Sequence, residues 1–214
     1  MCRIVKIFIA GLLLLVAATP LPVWALAFNI NVNTTSLAGT AVTLAFDFID
    51  GDGAVNNTVQ VSNFLIDGNF DPNSASSQGD VNGLLDSIVT FGDTSFFNEF
   101  LQPITLGASF QFRLDTTNEF AGGTLDSFSF FILDSSLLPL VTTTDPTGAD
   151  ALFALDLTGT GSGNLSVFES NSTQPNPPTW SIEPVQNVPE PGCLALMLIG
   201  GWSVYLRKKR HNRT

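Results

Sequence analysis

The chain has 214 residues and a formal charge of −11, with 13% charged residues against 44% hydrophobic ones. Arg113 is the single base between residues 28 and 206, whereas all 19 acids lie between Asp47 and Glu190, a net charge of −18 for that stretch. Such a body has no basic face to neutralise phosphates, which excludes nucleic-acid binding, and the length suits about one domain.

The N-terminus opens with Arg3 and Lys6, continues through the apolar run 7–16 (IFIAGLLLLV), breaks at Pro20 and Pro22, and reaches small residues at Ala25 and Ala27. A charged start, an apolar core and an A-x-A-like site form the pattern of a secretory signal peptide. Residues 1–27 are therefore expected to engage the Sec machinery and to be cut by signal peptidase. Cleavage after Ala27 uses Ala25 and Ala27; cleavage after Ala25 uses Val23 and Ala25. The first is preferred. No Cys stands at either cut, so a lipid-modified N-terminus is not expected.

Residues 28–184 are expected to form one domain. This region is rich in Phe, Thr, Ser, Asn, Asp and Gly, and period-two alternation recurs along it. Leu44, Phe46 and Phe48 alternate with Thr43, Ala45 and Asp47; Phe110, Phe112 and Leu114 alternate with Ser109, Gln111 and Arg113; Phe128, Phe130 and Ile132 alternate with Ser127, Ser129 and Phe131. Each is the signature of a half-buried strand. Further strands are expected at 28–32, 58–64, 88–91, 138–142, 151–157, 165–168 and 180–185, and a helix only around 96–101. Gly/Asn/Asp clusters such as Asp50-Gly-Asp-Gly and Ala121-Gly-Gly supply the turns between them. Nine or ten short strands predict an all-β fold, an antiparallel β-sandwich of jelly-roll-like form.

Residues 185–191 read as a linker, 192–206 as a short transmembrane helix, and 207–214 as a basic cytoplasmic tail carrying Arg207, Lys208, Lys209, Arg210 and Arg213. At 1.5 Å per residue the apolar run spans about 22 Å, short of the ~30 Å hydrocarbon core. Snorkelling cations and interfacial Trp202 and Tyr205 make up part of the gap. The positive-inside rule keeps the tail in the cytoplasm, and signal cleavage puts the body on the other side.

Catalytic chemistry has little material. The only His is His211, in the basic tail, and Cys193 is the only Cys beyond the signal peptide. A Ser-His-Asp triad, a Cys-His pair and a His-ligated zinc site are thus excluded from the body. With 19 acids some carboxylates must lie close together, so proximity alone does not argue for a glycosidase pair. No enzyme is expected. Two acidic loops place oxygen ligands at short spacing: Asp50 and Asp52 with Asn56, and Asp67, Asn69 and Asp71. Calcium takes several carboxylate and carbonyl oxygens, so these loops are candidate calcium ligands, although turn formation accounts for the same residues. No other cofactor is expected. A carbohydrate-binding module is the alternative to a structural protein, but the body offers Trp180 alone and no Tyr as a sugar platform.

Val188-Pro189-Glu190-Pro191, followed by a short apolar helix and a terminal Arg/Lys cluster, resembles the PEP-CTERM sorting signal; Gly192 stands where that signal usually has Ser or Thr. The body is similar to proteins bearing this signal at Asn33–Thr40, Phe46–Gly53 (FDFIDGDG), Ser95–Phe100 (SFFNEF), Asp126–Ser135 (DSFSFFILDS) and Thr144–Ala151 (TDPTGADA). The resemblance implies export across the inner membrane of a Gram-negative bacterium, transient anchoring with the body outside the cytoplasm, and processing by the membrane protease exosortase. A destination at the cell surface, in a biofilm or in extracellular polysaccharide follows from it; a particular chemistry does not.

Overall fold

In the computed structural model, alternation along the chain becomes two antiparallel sheets stacked face to face. The described residues are 25–172 and 176–185. Most of the expected signal peptide, the Val188–Pro191 motif, the 192–206 helix and the basic tail lie outside them. Among the described residues, no helix is long and apolar enough to cross a membrane.

The strands, in chain order, are β1 (Ala25–Asn33), β2 (Ala41–Ile49), β3 (Thr58–Ile66), β4 (Asn69–Phe70), β5 (Ser76–Gln78), β6 (Val81–Gly83), β7 (Ile88–Gly92), β8 (Phe97–Thr105), β9 (Ser109–Thr117), β10 (Asp126–Leu133), β11 (Phe153–Leu157), β12 (Asn164–Val167) and β13 (Thr179–Pro184). The first sheet runs β13-β1-β9-β3-β7-β6; the second runs β12-β11-β10-β2-β8-β4, with β5 also on β8. Strands that neighbour in sequence often sit in different sheets, so the two layers are sewn together by their loops.

Phenylalanine fills the space between the layers. Phe46 of β2, Phe112 of β9 and Phe130 of β10 meet with ring centroids 5.4 Å (Phe46–Phe112), 4.9 Å (Phe46–Phe130) and 5.1 Å (Phe112–Phe130) apart. The Phe46–Phe112 contact is edge-to-face at 79°, an arrangement aromatic quadrupoles favour. Because β9 belongs to the first sheet and β2 and β10 to the second, this trio joins both. Trp180 and Ile182 of β13 pack against the same core from its margin. In β3 the register slips between Ser62 and Leu65, with Asn63 at φ 53°. That bulge returns Phe64 to the core and leaves Leu65 exposed.

Two expected elements differ. Of the stretch 96–101, expected as a helix, residues 97–101 belong to strand β8, paired along its length with β2. Its apolar residues fall at helical spacing only because Asn98 and Gln102 point inward. Both are fully buried: the Asn98 amide donates to the carbonyls of Phe48 and Ser95, and Gln102 Nε2 donates to the Asp71 carbonyl and to Ser74 Oγ. The stretch 138–142, expected as a strand, makes only an isolated bridge, Leu133 to Pro139. Proline has no N–H to extend a ladder. Three short strands escaped expectation, β4, β5 and β6. Their Asn, Ser and Gly residues carry no apolar pattern, and they form by pairing onto the edges of β8 and β7.

Candidate functional site

The loops β2–β3, β7–β8, β9–β10 and β11–β12 gather at one end of the sandwich, hereafter the loop end. Alternating strand directions bring them there, and with them the start of β1 and the end of β13. The Val185 N–H donates to the Ala27 carbonyl at 2.8 Å, so both ends of the folded body lie side by side. Ala25 and Ala27, the small residues that precede the expected signal cut, sit in β1 opposite Thr117 and Asp115 of β9.

This end holds a carboxylate cluster. Asp50, Asp52 and Asp126 each offer an oxygen within 4.8 Å of the others. Their partners explain why. Asp126 Oδ1 accepts from the N–H groups of Gly51 (2.8 Å) and Asp52 (3.2 Å), while its Oδ2 accepts from Asn57 Nδ2 (2.7 Å). Asp52 Oδ1 accepts from Ala54 N–H, and its Oδ2 takes both Ala121 N–H and Asn56 Nδ2. Asp50 Oδ1 accepts from Gly53 N–H. Asp93 joins through Oδ2, which accepts from the backbone of Asn56 and Asn57. Asn57 completes the network: its Oδ1 accepts from Thr117 Oγ1 and Glu119 N–H, and its Nδ2 reaches the Glu119 carbonyl. Gly51 is required for close approach, since a Cβ there would lie 2.2 Å from the Leu125 carbonyl oxygen.

The electrostatics divide the cluster. Burial raises the Asp50 carboxyl above its ordinary value; the Gly53 N–H opposes this, and repulsion from Asp126, Asp93 and Asp52 adds to it. The Ala121 N–H lowers that of Asp52 against the opposing effect of burial, helped by Ala54 and Asn56. As a cation centre the site offers three carboxylates, the donor type hard ions take. As a loop clasp it already spends most of those oxygens on amide donors, which keep buried loop N–H groups satisfied. The arrangement fits the clasp more completely.

Of the residues named from sequence, Asp50, Asp52 and Asn56 come together here. Asp67, Asn69 and Asp71 do not. Asp67 Oδ1 accepts from Ser109 N–H, and Asp71 caps a short 3-10 turn at Pro72–Ser74 by accepting from Asn73 N–H. Asp126 and Asp93 were missed, because each is a lone Asp at a strand boundary, far along the chain from the Asp50 loop.

A second acidic pair lies on the open face of the second sheet. Asp47 of β2 stands directly opposite Glu99 of β8, and Ser129 of β10 flanks it on the other side. Asp47 Oδ1 is buried with no hydrogen-bond partner. Burial first, then repulsion from Glu99, pushes the Asp47 carboxyl up to about 7. Burial raises Glu99 as well.

On the first sheet, a shallow groove of 730 Å³ runs across β1 and β9, lined in part by Asn31, Asn33, Ser109, Gln111 and Leu65, with Trp180 at its margin. No family model, curated protein or solved structure matches the chain.

Proposed function

We propose that this chain is a non-enzymatic exported protein, anchored through its C-terminal segment, sorted by Val188–Pro191 and released by exosortase to serve as a structural component of the cell surface or matrix. The observation that carries the reading is the pairing of two terminal addresses, a cleavable leader and a Pro-Glu-Pro, apolar, basic ending, around a body whose only base is Arg113. The body's architecture is read as jelly-roll-like. Its sequence between residues 28 and 187 contains no His, Cys or Lys, which leaves little for nucleophilic or acid–base catalysis. Both ends of the body emerging at one place supports a domain held at the membrane by a single tether.

Mass determination of the mature C-terminus tests the proposal. A species ending near Pro191 is expected; steady-state cells holding only chains that retain Arg207–Thr214 would overturn it. Deleting residues 188–214 is expected to leave a folded body that no longer reaches the surface fraction.

A second reading, a carbohydrate-binding module, draws on the 730 Å³ groove, whose Asn31 and Gln111 present amide donors and acceptors suited to hydroxyls. Against it, Trp180 packs on the core margin and offers no broad sugar platform. Glycan-array binding abolished by Asn31→Ala and Gln111→Ala would favour this reading over the first.

A further inference from the structure

The loop end carries apolar side chains that the clasp does not use. Val55 of the β2–β3 loop is 72% exposed, Phe96 of the β7–β8 loop 71%, and Phe120 of the β9–β10 loop 41%. These loops are bonded to one another. The Asp50 N–H donates to the Phe96 carbonyl, Asp52 Oδ2 accepts from Ala121 beside Phe120, and Asp93 holds Asn56 beside Val55. Exposed apolar side chains also occur towards the far end of the sandwich, at Leu65, Leu84, Ile88, Leu137, Leu138 and Val167, so what distinguishes the loop end is that the chain leaves the body there.

The chain's own layout identifies what they contact. The body's last strand ends at Pro184, paired with Phe28 of β1 at this same end, Val185 follows it, and the apolar run begins at Gly192. Seven residues extend at most about 24 Å. The opposite end of the sandwich lies a further strand length away, about 30 Å for the nine residues of β2. A tether this short holds the loop end, and not the far end, at the bilayer surface. Such tethering replaces free association by a local one, so that modest apolar contacts suffice.

We propose that Val55, Phe96 and Phe120 rest in the interfacial zone of a bilayer with zwitterionic headgroups while the C-terminal segment is embedded, docking the body loop end down. The inference rests on the anchoring reading above. Headgroup charge follows from the same end: Asp50, Asp52, Asp93, Asp126 and the exposed Glu119 would repel an anionic surface, and no base among the described loop residues offsets them.

The test uses the full chain in vesicles of phosphatidylcholine and phosphatidylethanolamine containing doxyl-labelled lipid. A bimane fluorophore is placed on Cys193 in a Cys2→Ser chain. In a Cys2→Ser, Cys193→Ser chain it is placed on Val55→Cys, Phe96→Cys or Leu137→Cys, the last at the far end and 52% exposed. Quenching of Cys193, Val55→Cys and Phe96→Cys, with Leu137→Cys unquenched, is expected. Quenched Cys193 with unquenched Val55→Cys and Phe96→Cys overturns the docking while leaving the anchor intact. Unquenched Cys193 overturns the anchor itself. Equal quenching of Leu137→Cys and Val55→Cys overturns the orientation. Val55, Phe96 and Leu137 are exposed, and Phe96→Cys backs up Val55→Cys if either disturbs its loop.

Discussion

Two groups of acids in this body live under opposite rules. At the loop end, Asp52 and Asp126 are ringed by backbone and amide N–H groups. On the open face of the second sheet, Asp47 faces another carboxylate and has an oxygen with no donor at all. The same residue type is therefore held below its usual proton affinity at Asp52 and pushed up to about 7 at Asp47. Burial raises the carboxyl at Asp47, with Glu99 adding to it, and at Asp52 the N–H donors outweigh burial: a surrounded Asp is structural glue as an anion, and a bare buried one is tolerable mainly as an acid.

The largest effect expected from breaking this contrast is at Asp126. Asp126→Ala strips the partners of Gly51, Asp52 and Asn57 at once, and urea unfolding should register a loss of about 3 kcal/mol. Asp47 should respond in the other direction and only at higher pH. Its folded-state value lies above the unfolded 3.8, so the folded chain binds more protons between about pH 4 and 7. Stability then falls as pH rises through that window and the loss is complete above it. Asp47→Asn should stabilise by about 2 kcal/mol at pH 8 and by little at pH 4, read from melting curves at both; an equal effect at the two pH values would show that the pair is not titrating. Gly51→Ala sharpens the clasp side, since the new methyl meets the Leu125 carbonyl; a cost of about 1.5 kcal/mol by chemical unfolding is expected. The smallest effect concerns calcium. Donors already engage most oxygens of Asp50, Asp52 and Asp126, so chelator and millimolar calcium should leave the melting midpoint in place. A clear calcium-dependent rise would restore the cation centre.

Much of the sandwich was legible because Phe and Leu recur at every second position in β2, β9 and β10, a signal strong enough to survive Phe131 on the other face of β10. It failed where polar residues took core positions. In β8, Asn98 and Gln102 turn inward to bind the chain at Phe48, Ser95 and Asp71, and the remaining apolar residues mimic a helical stripe. The candidate site was half legible. Asp50, Asp52 and Asn56 are neighbours in the chain, and the Gly-rich turn announces them. Asp93 and Asp126 arrive through sheet topology, which sets the end of β7 beside the start of β3 and the start of β10 beside the end of β2, and no local motif encodes that. The Asp47–Glu99 opposition was hidden for the same reason: it is a matter of register between strands far apart in sequence.

The hydrogen-bonded ladder between the first strand and the last has a temporal meaning. A chain emerging N-terminus first presents β1 long before β13 exists, and β1 meets β9 on one side while its other side waits for Thr179–Pro184. Until that final strand is free, the first sheet ends in the nine-residue border of β1; afterwards it ends in the six-residue β13, shorter and blunted by Glu183 and Pro184. Completion is therefore a late, vectorial event, and any premature stop before residue 179 would leave the longer, less protected edge of β1 on an otherwise finished molecule.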